Sequence, residues 1–210
     1  MDLIHALILG IIQGLTEFLP VSSSGHLELG KALLGVNVQE SLSFSIAVHG
    51  ATVLSTIAVF RKDIASIIRG VFRFQWNDET RFVLMILVSM IPVAFVGVFF
   101  KDNVESLFNG NILFVGSMLL VTALLLTLAV VVKQKHEKDI NFFDALIIGV
   151  AQAIAVLPGV SRAGATIATG LMLGKRKSEV ARFSFLMVLL PILGANFLDL
   201  IKGDFSSDAG

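Results

Sequence analysis

Apolar residues run in long blocks along this chain, and the polar residues that interrupt them are few. Four blocks are long enough to cross a bilayer as helices, which takes about 20 apolar residues each: roughly 42–60, 82–100, 112–132 and 180–201. Four others are too short: roughly 3–18, 23–34, 142–157 and 164–174. The short blocks come in pairs. "LPVSSSG" joins the first pair and "LPGVSRAG" the second, each with a proline and glycine that break a helix. Segments too short to span, joined tip to tip, predict re-entrant helical hairpins over 3–34 and 142–174. Irregular backbone at membrane depth is tolerated only where protein or a water-filled cavity covers it.

The two hairpins are copies at an offset of 139 residues. Gly10 falls on Gly149, Gln13 on Gln152, Ser22 on Ser161, Gly25 on Gly164, Leu34-Gly35 on Leu173-Gly174, Glu40 on Glu179, Phe44 on Phe183 and Ser45 on Ser184. Pro20 and Pro158 lie one residue out of register, so a single-residue indel sits in the joint. The repeat unit is a short helix, a breaker, a short helix and a span.

Charge gives the units a direction. The loop 61–81 carries Arg61, Lys62, Arg69, Arg73 and Arg81, and the loop 133–138 carries Lys133, Lys135 and Lys138. Two spans separate these loops, so they share a side, and the positive-inside rule makes it cytoplasmic. After the second hairpin, "GKRKSEVAR" carries Lys175, Arg176, Lys177 and Arg182; after the first, "GVNVQESLS" carries no basic residue. The first unit therefore enters from outside and the second from inside, as in inverted-topology repeats whose broken helices meet near the midplane. The fold expected is an all-α, polytopic integral membrane protein in a single membrane domain, 1–210. Repeat one covers about 1–139, with a re-entrant hairpin and three spans. Repeat two covers about 140–210 and is incomplete, with a re-entrant hairpin and one span; it lacks counterparts of the spans at 82–100 and 112–132.

Composition agrees with the pattern. Of 210 residues 55% are hydrophobic and 15% charged, and the mean hydropathy is +0.87; a soluble domain is nearer 25% charged. The net charge is zero, which leaves no basic footprint for nucleic acid. Without cysteine, disulfide and thiolate chemistry are excluded. The N-terminal "MDLIHALILG" lacks a basic leader and a cleavage site, and reads as mature structure.

The joints hold the candidate chemistry. Each leads into a helix N-terminus, where unpaired N–H groups and the positive dipole end favour phosphate. Arg162 adds a planar five-donor cation, and an arginine at membrane depth is a functional candidate by default. Gln13 and Glu17 are four apart on one face of the first short helix. Ser23 and His26 are three apart at the start of the next. A serine needs a neighbouring base to become a nucleophile; His26 is in reach, with Glu17 to orient the imidazole or hold a metal ion. Hydroxyl, base, carboxylate and arginine make a phosphoryl-transfer set, in which positioning and charge neutralisation dominate. The bland alternatives are helix-capping serines, a hydrogen-bonding Glu17 and a satisfied His26. Gly10 and Gly14 read as a packing face, and His49 and Glu28 as secondary cavity residues.

"QGLTEFLPVSSSGH" and "LPGVSRAGATI" resemble the two signature motifs of the BacA-type undecaprenyl-diphosphate phosphatases, and the likeness runs from residue 3 to about 201. The resemblance implies an integral membrane enzyme that removes the terminal phosphate of undecaprenyl diphosphate at the outer face of the bacterial inner membrane. That reaction recycles the lipid carrier of peptidoglycan and other envelope polymers, and the family is linked to bacitracin resistance. It implies a divalent cation, Mg²⁺ or Ca²⁺, held by Glu17, and catalytic roles for Glu17, Ser23, His26 and Arg162, with either Ser23 or His26 as nucleophile. It implies substrate contacts from Gln13, Ser22, Ser24, Gly25, Ser161, Gly164 and Thr166. Gln13 stands where the family has Glu or Gln, which leaves one carboxylate for metal and not two, and Ala163 stands where many members have serine. The partners implied are the polyprenyl diphosphate and membrane lipids; a homodimer is an allowed assembly.

Two rival readings exist. A PAP2-type lipid phosphatase needs histidine six residues after its arginine, but Ala168 stands there. An inverted-repeat transporter or flippase of an anionic lipid needs binding groups but no nucleophile.

Topology can be tested directly, because the chain has no native cysteine. Cysteines placed in 61–81 should resist a membrane-impermeant thiol reagent in intact cells, and cysteines in 36–41 should react. Labelling of 61–81 from outside would overturn the inverted arrangement.

Overall fold

The computed structural model describes residues 2–36, 42–107, 111–131 and 138–202, with no side-chain description for Leu42, Ser43, Ser45, Ile46, His49, Glu105 and 190–202. The expectations for Glu40, Ser45, His49, the basic residues Lys133 and Lys135, and most of the 36–41 loop fall outside this description. Among the described residues the regular elements are all helices, with no strand. In chain order the helices are α1 Leu3–Glu17, α2 Ser23–Leu34, α3 Leu42–Val59, α4 Arg61–Val71, α5 Asp78–Phe99, α6 Lys101–Ser106, α7 Ile112–Val131, α8 Phe142–Ile154, α9 Arg162–Met172 and α10 Lys177–Lys202.

Among the described residues two helices are long and apolar enough to cross a membrane, α5 and α7, with mean hydropathies of 2.7 and 2.5. The other two expected spans are also single helices, α3 of 18 residues and α10 of 26. At 1.5 Å per residue, α1 and α8, with 15 and 13 residues, reach only about 20–22 Å, short of a hydrocarbon core of about 30 Å. Each packs beside the short helix that follows it, α1 on α2 and α8 on α9.

Helix ends follow local chemistry. Asn77 caps α5 by accepting from the Thr80 N–H at 2.8 Å, and Asp78 and Glu79 suit the positive end of its dipole. These groups carry α5 four residues further back than the apolar block, into "DETR". A reciprocal capping box between Asn141 and Asp144 starts α8. The 61–81 segment, expected as a loop, contains α4: Ile64 and Ile67 recur at helical spacing and pack on the core with Phe60. Its basic residues dominate the composition and hide that stripe.

The packing centres on the second hairpin. Helix α8 lies along α5, while α9 lies between α7, α8 and α10. Gly149 sits against the α5 backbone, so that a Cβ there would come within 2.8 Å of the Ser89 Cα and carbonyl carbon. Close backbone approach of this kind is how small residues join membrane helices. The core cluster includes Phe82, Met85, Ile86, Ala145, Ile148, Val180, Phe183 and Met187, with Phe82 edge-on to Phe183. By contrast α1 leaves Leu3, Leu7, Ile11 and Leu15 exposed, an apolar face suited to lipid.

Charged pairs close the end of the bundle where α9 meets α10. Lys175 and Asp144 form a buried ion pair at 2.5 Å, and the Lys175 ammonium also donates to the Asp139 carbonyl. Losing either partner of such a pair would leave an unpaired buried charge, which costs about 3–5 kcal/mol. Arg182 pairs with Asp63 at 2.7 Å and stacks over Phe82, tying α10 to α4 and α5.

Candidate active site

The two breakers touch. A Cβ on Gly164 would lie 2.8 Å from the Pro20 carbonyl, and one on Gly25 would lie 3.2 Å from Gly159 Cα and 2.9 Å from Leu119 Cδ2. Both glycines are therefore demanded by contact between one breaker and the other, with α7 underneath. Gly159 has φ +93° and packs against Val115 and Met118 of α7. The other positive φ in these loops belongs to Ser22, at 70°. A serine there is strained, and such strain persists only where surrounding contacts fix it.

Each following helix starts with the same cap. The Ser22 hydroxyl accepts from the Gly25 N–H at 3.3 Å, and the Ser161 hydroxyl accepts from the Gly164 N–H at 2.9 Å. The fourth amides bond backward as well, His26 N to Ser22 O and Ala165 N to Ser161 O. A helix leaves its first four N–H groups without intrahelical partners. With the third and fourth used, the amides of Ser23 and Ser24 on α2, and of Arg162 and Ala163 on α9, are the donors that remain for an anion.

All four residues line one cavity, together with Thr16, Glu17, Ser22 and Ser161. Helices α3 and α10 complete it, with Thr52, Thr56 and Ser184 among their contributions. Glu17, the last residue of α1, accepts from the Ser23 hydroxyl, and from the Gln13 amide at 2.9 Å. Both reach the same carboxylate oxygen, Oε2, which leaves Oε1 for another ligand. Gln13 is buried behind Glu17, outside the cavity, and its own Oε1 has no hydrogen-bond partner. Arg162, which also lines the cavity, is the first residue of α9; among the described residues no hydrogen bond or ion pair engages its guanidinium.

Other expected site residues are placed differently. The His26 Nδ1 lies 2.8 Å from the Ser22 carbonyl. A carbonyl only accepts, so Nδ1 carries the proton and Nε2 is the ring nitrogen left for other chemistry. His26 does not line the cavity, and the base in contact with Ser23 is Glu17. Thr166 is fully buried; its hydroxyl lies 2.8 Å from the Arg162 carbonyl and 2.6 Å from the Ser184 hydroxyl. It fastens α9 to α10 and does not face the cavity. Gly25 and Gly164 act through close packing, their N–H groups being used by the caps. Ser24 lines the cavity, 3.4 Å from the Ser22 hydroxyl.

Thr122 of α7 carries no motif that marks it in the sequence. Its hydroxyl accepts from the Ser161 N–H at 3.0 Å and shares its proton between the Met118 and Gly159 carbonyls. It holds the second breaker from below, next to Arg162. No three acidic or histidine side chains cluster as a metal cage among the described residues. The oxygen donors at hand for a cation are Glu17 Oε1 and the serine hydroxyls, a set completed only by oxygens from a ligand.

Fold and cavity together describe a helical membrane protein whose cavity is lined by a carboxylate–hydroxyl couple, an arginine and two helix N-termini. The chain belongs to the BacA family: the family model described as "Bacitracin resistance protein BacA" matches residues 6–209. It is 56% identical over 207 residues to the undecaprenyl-diphosphatase of Bacteroides fragilis, an overlap covering 97% of this chain and 78% of that protein. It is 57% identical over 202 residues to that of Parabacteroides distasonis, covering 96% and 76%. The undecaprenyl-diphosphatase of Methanosphaera stadtmanae is 39% identical over 221 residues, covering 95% and 78%.

The Thr122 contact makes a specific demand. Thr122→Val keeps the shape but leaves the buried Ser161 N–H without its acceptor, which costs about 1–3 kcal/mol. In detergent this variant should melt lower and exchange amide hydrogens faster over 159–163, while Thr122→Ser should match the parent. Unchanged melting and exchange in the valine variant would remove Thr122 from the support of the breaker.

Proposed function

We propose that this chain hydrolyses undecaprenyl diphosphate to undecaprenyl phosphate and inorganic phosphate, recycling the lipid carrier of cell-wall synthesis. The observation that carries this reading is the Ser23–Glu17 hydrogen bond inside the cavity that Arg162 also lines. Relatives named undecaprenyl-diphosphatase at 56–57% identity support the substrate. A transporter needs binding groups for a diphosphate but has no use for a serine held on a carboxylate, so the contact favours hydrolysis.

In this reading the terminal phosphoryl group enters between the two breakers. The amides of Ser23, Ser24, Arg162 and Ala163 and the guanidinium hold its oxygens. Glu17 takes the Ser23 proton as Ser23 Oγ bonds to phosphorus; the bridging P–O bond breaks, and undecaprenyl phosphate leaves with the electron pair. Water then cleaves the phosphoserine, releasing inorganic phosphate and restoring the hydroxyl. Gln13 fixes the rotamer of Glu17. His26 steadies the start of α2 through Ser22, with Nε2 left to exchange protons with the leaving group or water.

A divalent cation, Mg²⁺ or Ca²⁺, fits the donor set. Such ions take hard oxygen ligands and commonly share one or two carboxylates with substrate phosphates. Glu17 Oε1 and the serine hydroxyls would hold it, and when bound it would supply further neutralisation of diphosphate charge. The wider frame is an inverted-repeat protein of the bacterial inner membrane, with re-entrant hairpins α1–α2 and α8–α9 and a cavity open toward the outer face. The asymmetry of basic residues supports that direction.

Arg162 gives the sharpest test. Removing a positioned donor to developing charge commonly costs about 10²–10³ in rate. Arg162→Ala should lose that much phosphate release from a polyprenyl diphosphate while melting normally, and Arg162→Lys should remain impaired because it lacks the guanidinium fork. Glu17→Gln should also fall steeply, and excess EDTA should suppress the parent. An Arg162→Ala protein that turns over at the parent rate would sink the reading.

A further inference from the structure

The segment joining α4 to α5 displays three aromatic side chains. Phe72, Phe74 and Trp76 are 70%, 88% and 73% exposed. Arg69 and Arg73, also exposed, alternate with them. This display is not slack chain. Phe72 N–H donates to Ile68 O, and Phe74 N–H to Val71 O at 3.0 Å. The Asn77 amide donates to Gly70 O at 2.8 Å and the Thr80 hydroxyl to Gln75 O at 3.0 Å. Gly70 sits so close to Glu79 that a Cβ there would meet its side chain at 2.5 Å. Phe74 itself has φ +50°, a left-handed conformation that glycine or asparagine ordinarily fills. A bulky aromatic is thus held exposed in a strained turn, its ring edge-on to that of Phe72.

Position identifies what the rings meet. Helix α4 starts two residues after α3 ends, and the 22-residue apolar α5 starts at Asp78. Ile64 and Ile67 tie α4 to the bundle. The turn is therefore fixed at the end of a membrane-spanning helix, at the height of the lipid headgroups. Tryptophan favours that layer, phenylalanine rings sink to its boundary with the acyl chains, and arginines there reach lipid phosphates while their stems stay in the apolar zone. The local charge is positive: Arg61, Lys62, Arg69, Arg73 and Arg81 face three acids, of which Asp63 is paired with Arg182.

We propose that Phe72, Phe74 and Trp76, with Arg69 and Arg73, form a binding site for anionic phospholipid headgroups. The rings seat between headgroups and the two guanidiniums take lipid phosphates. The site is separate from the Glu17–Arg162 cavity, and it rests only on the chain being a membrane protein.

Trp76 is the chain's single tryptophan, so its fluorescence reports this site alone. The full chain, reconstituted in bilayers, should show Trp76 quenched by lipids brominated near the headgroup end of their acyl chains. Brominated phosphatidylglycerol should associate severalfold better than brominated phosphatidylcholine, since each basic residue near an anionic surface is worth about fivefold. Arg69→Gln with Arg73→Gln should bring the two lipids close to parity without changing phosphate release. Equal association of the two lipids with the parent chain would overturn the proposal. So would a Trp76 that escapes both brominated lipids and is fully open to acrylamide, which would leave the surface to a protein partner.

Discussion

The structure depends on one contact, the meeting of two broken helices over α7. Backbone that leaves helical geometry inside a membrane exposes N–H and C=O groups that lipid cannot satisfy. Each breaker is covered by the other. Gly25 lets α2 close on Gly159, Gly164 lets α9 close on the Pro20 carbonyl, and Thr122 gives the Ser161 amide an acceptor. The same requirement accounts for the second hairpin being packed between α5, α7 and α10. Two helix N-termini that share a covered space present amides and positive dipole ends of the kind that favour an anion, which is why the proposed phosphate chemistry is placed there.

Within that space the candidate groups divide by element. Helix α1 ends on the carboxylate, α2 begins on the hydroxyl it holds, and α9 begins on the guanidinium. None sits on a loop free to drift, because caps at Ser22 and Ser161 fix both helix starts. The strained φ of Ser22 lies at the joint between Glu17 and Ser23, and its carbonyl also holds His26. One short stretch thus sets the carboxylate, the serine and the imidazole together.

Much of this was legible in the sequence, and the exceptions have physical causes. Glu17, Ser23 and Arg162 stood out because they are polar groups at breaks in apolar runs, and they line one cavity. His26 has helical spacing compatible with Ser23, but its ring is taken by the Ser22 carbonyl, a bond that depends on a backbone angle no composition reveals. Thr166 shares a helix face with Arg162, yet its hydroxyl bonds back to the preceding turn and to Ser184. Thr122 could not be singled out: Ser117 and Thr127 lie in the same apolar helix and satisfy their hydroxyls on their own helix's carbonyls. Only the tertiary approach of Gly159 and Ser161 distinguishes it. Helix α4 was hidden because five basic residues in 61–81 outweigh its short apolar stripe.

In the proposed mechanism both breakers act on a single phosphoryl group. An experimental structure of the full chain in lipid with orthovanadate, a mimic of phosphate in transfer, tests it most directly. Vanadate should be bonded to or within hydrogen-bond distance of Ser23 Oγ, with the Arg162 guanidinium on its equatorial oxygens and Glu17 beside Ser23. Vanadate bound by one breaker alone, or at any place that leaves Arg162 without contact, would contradict it.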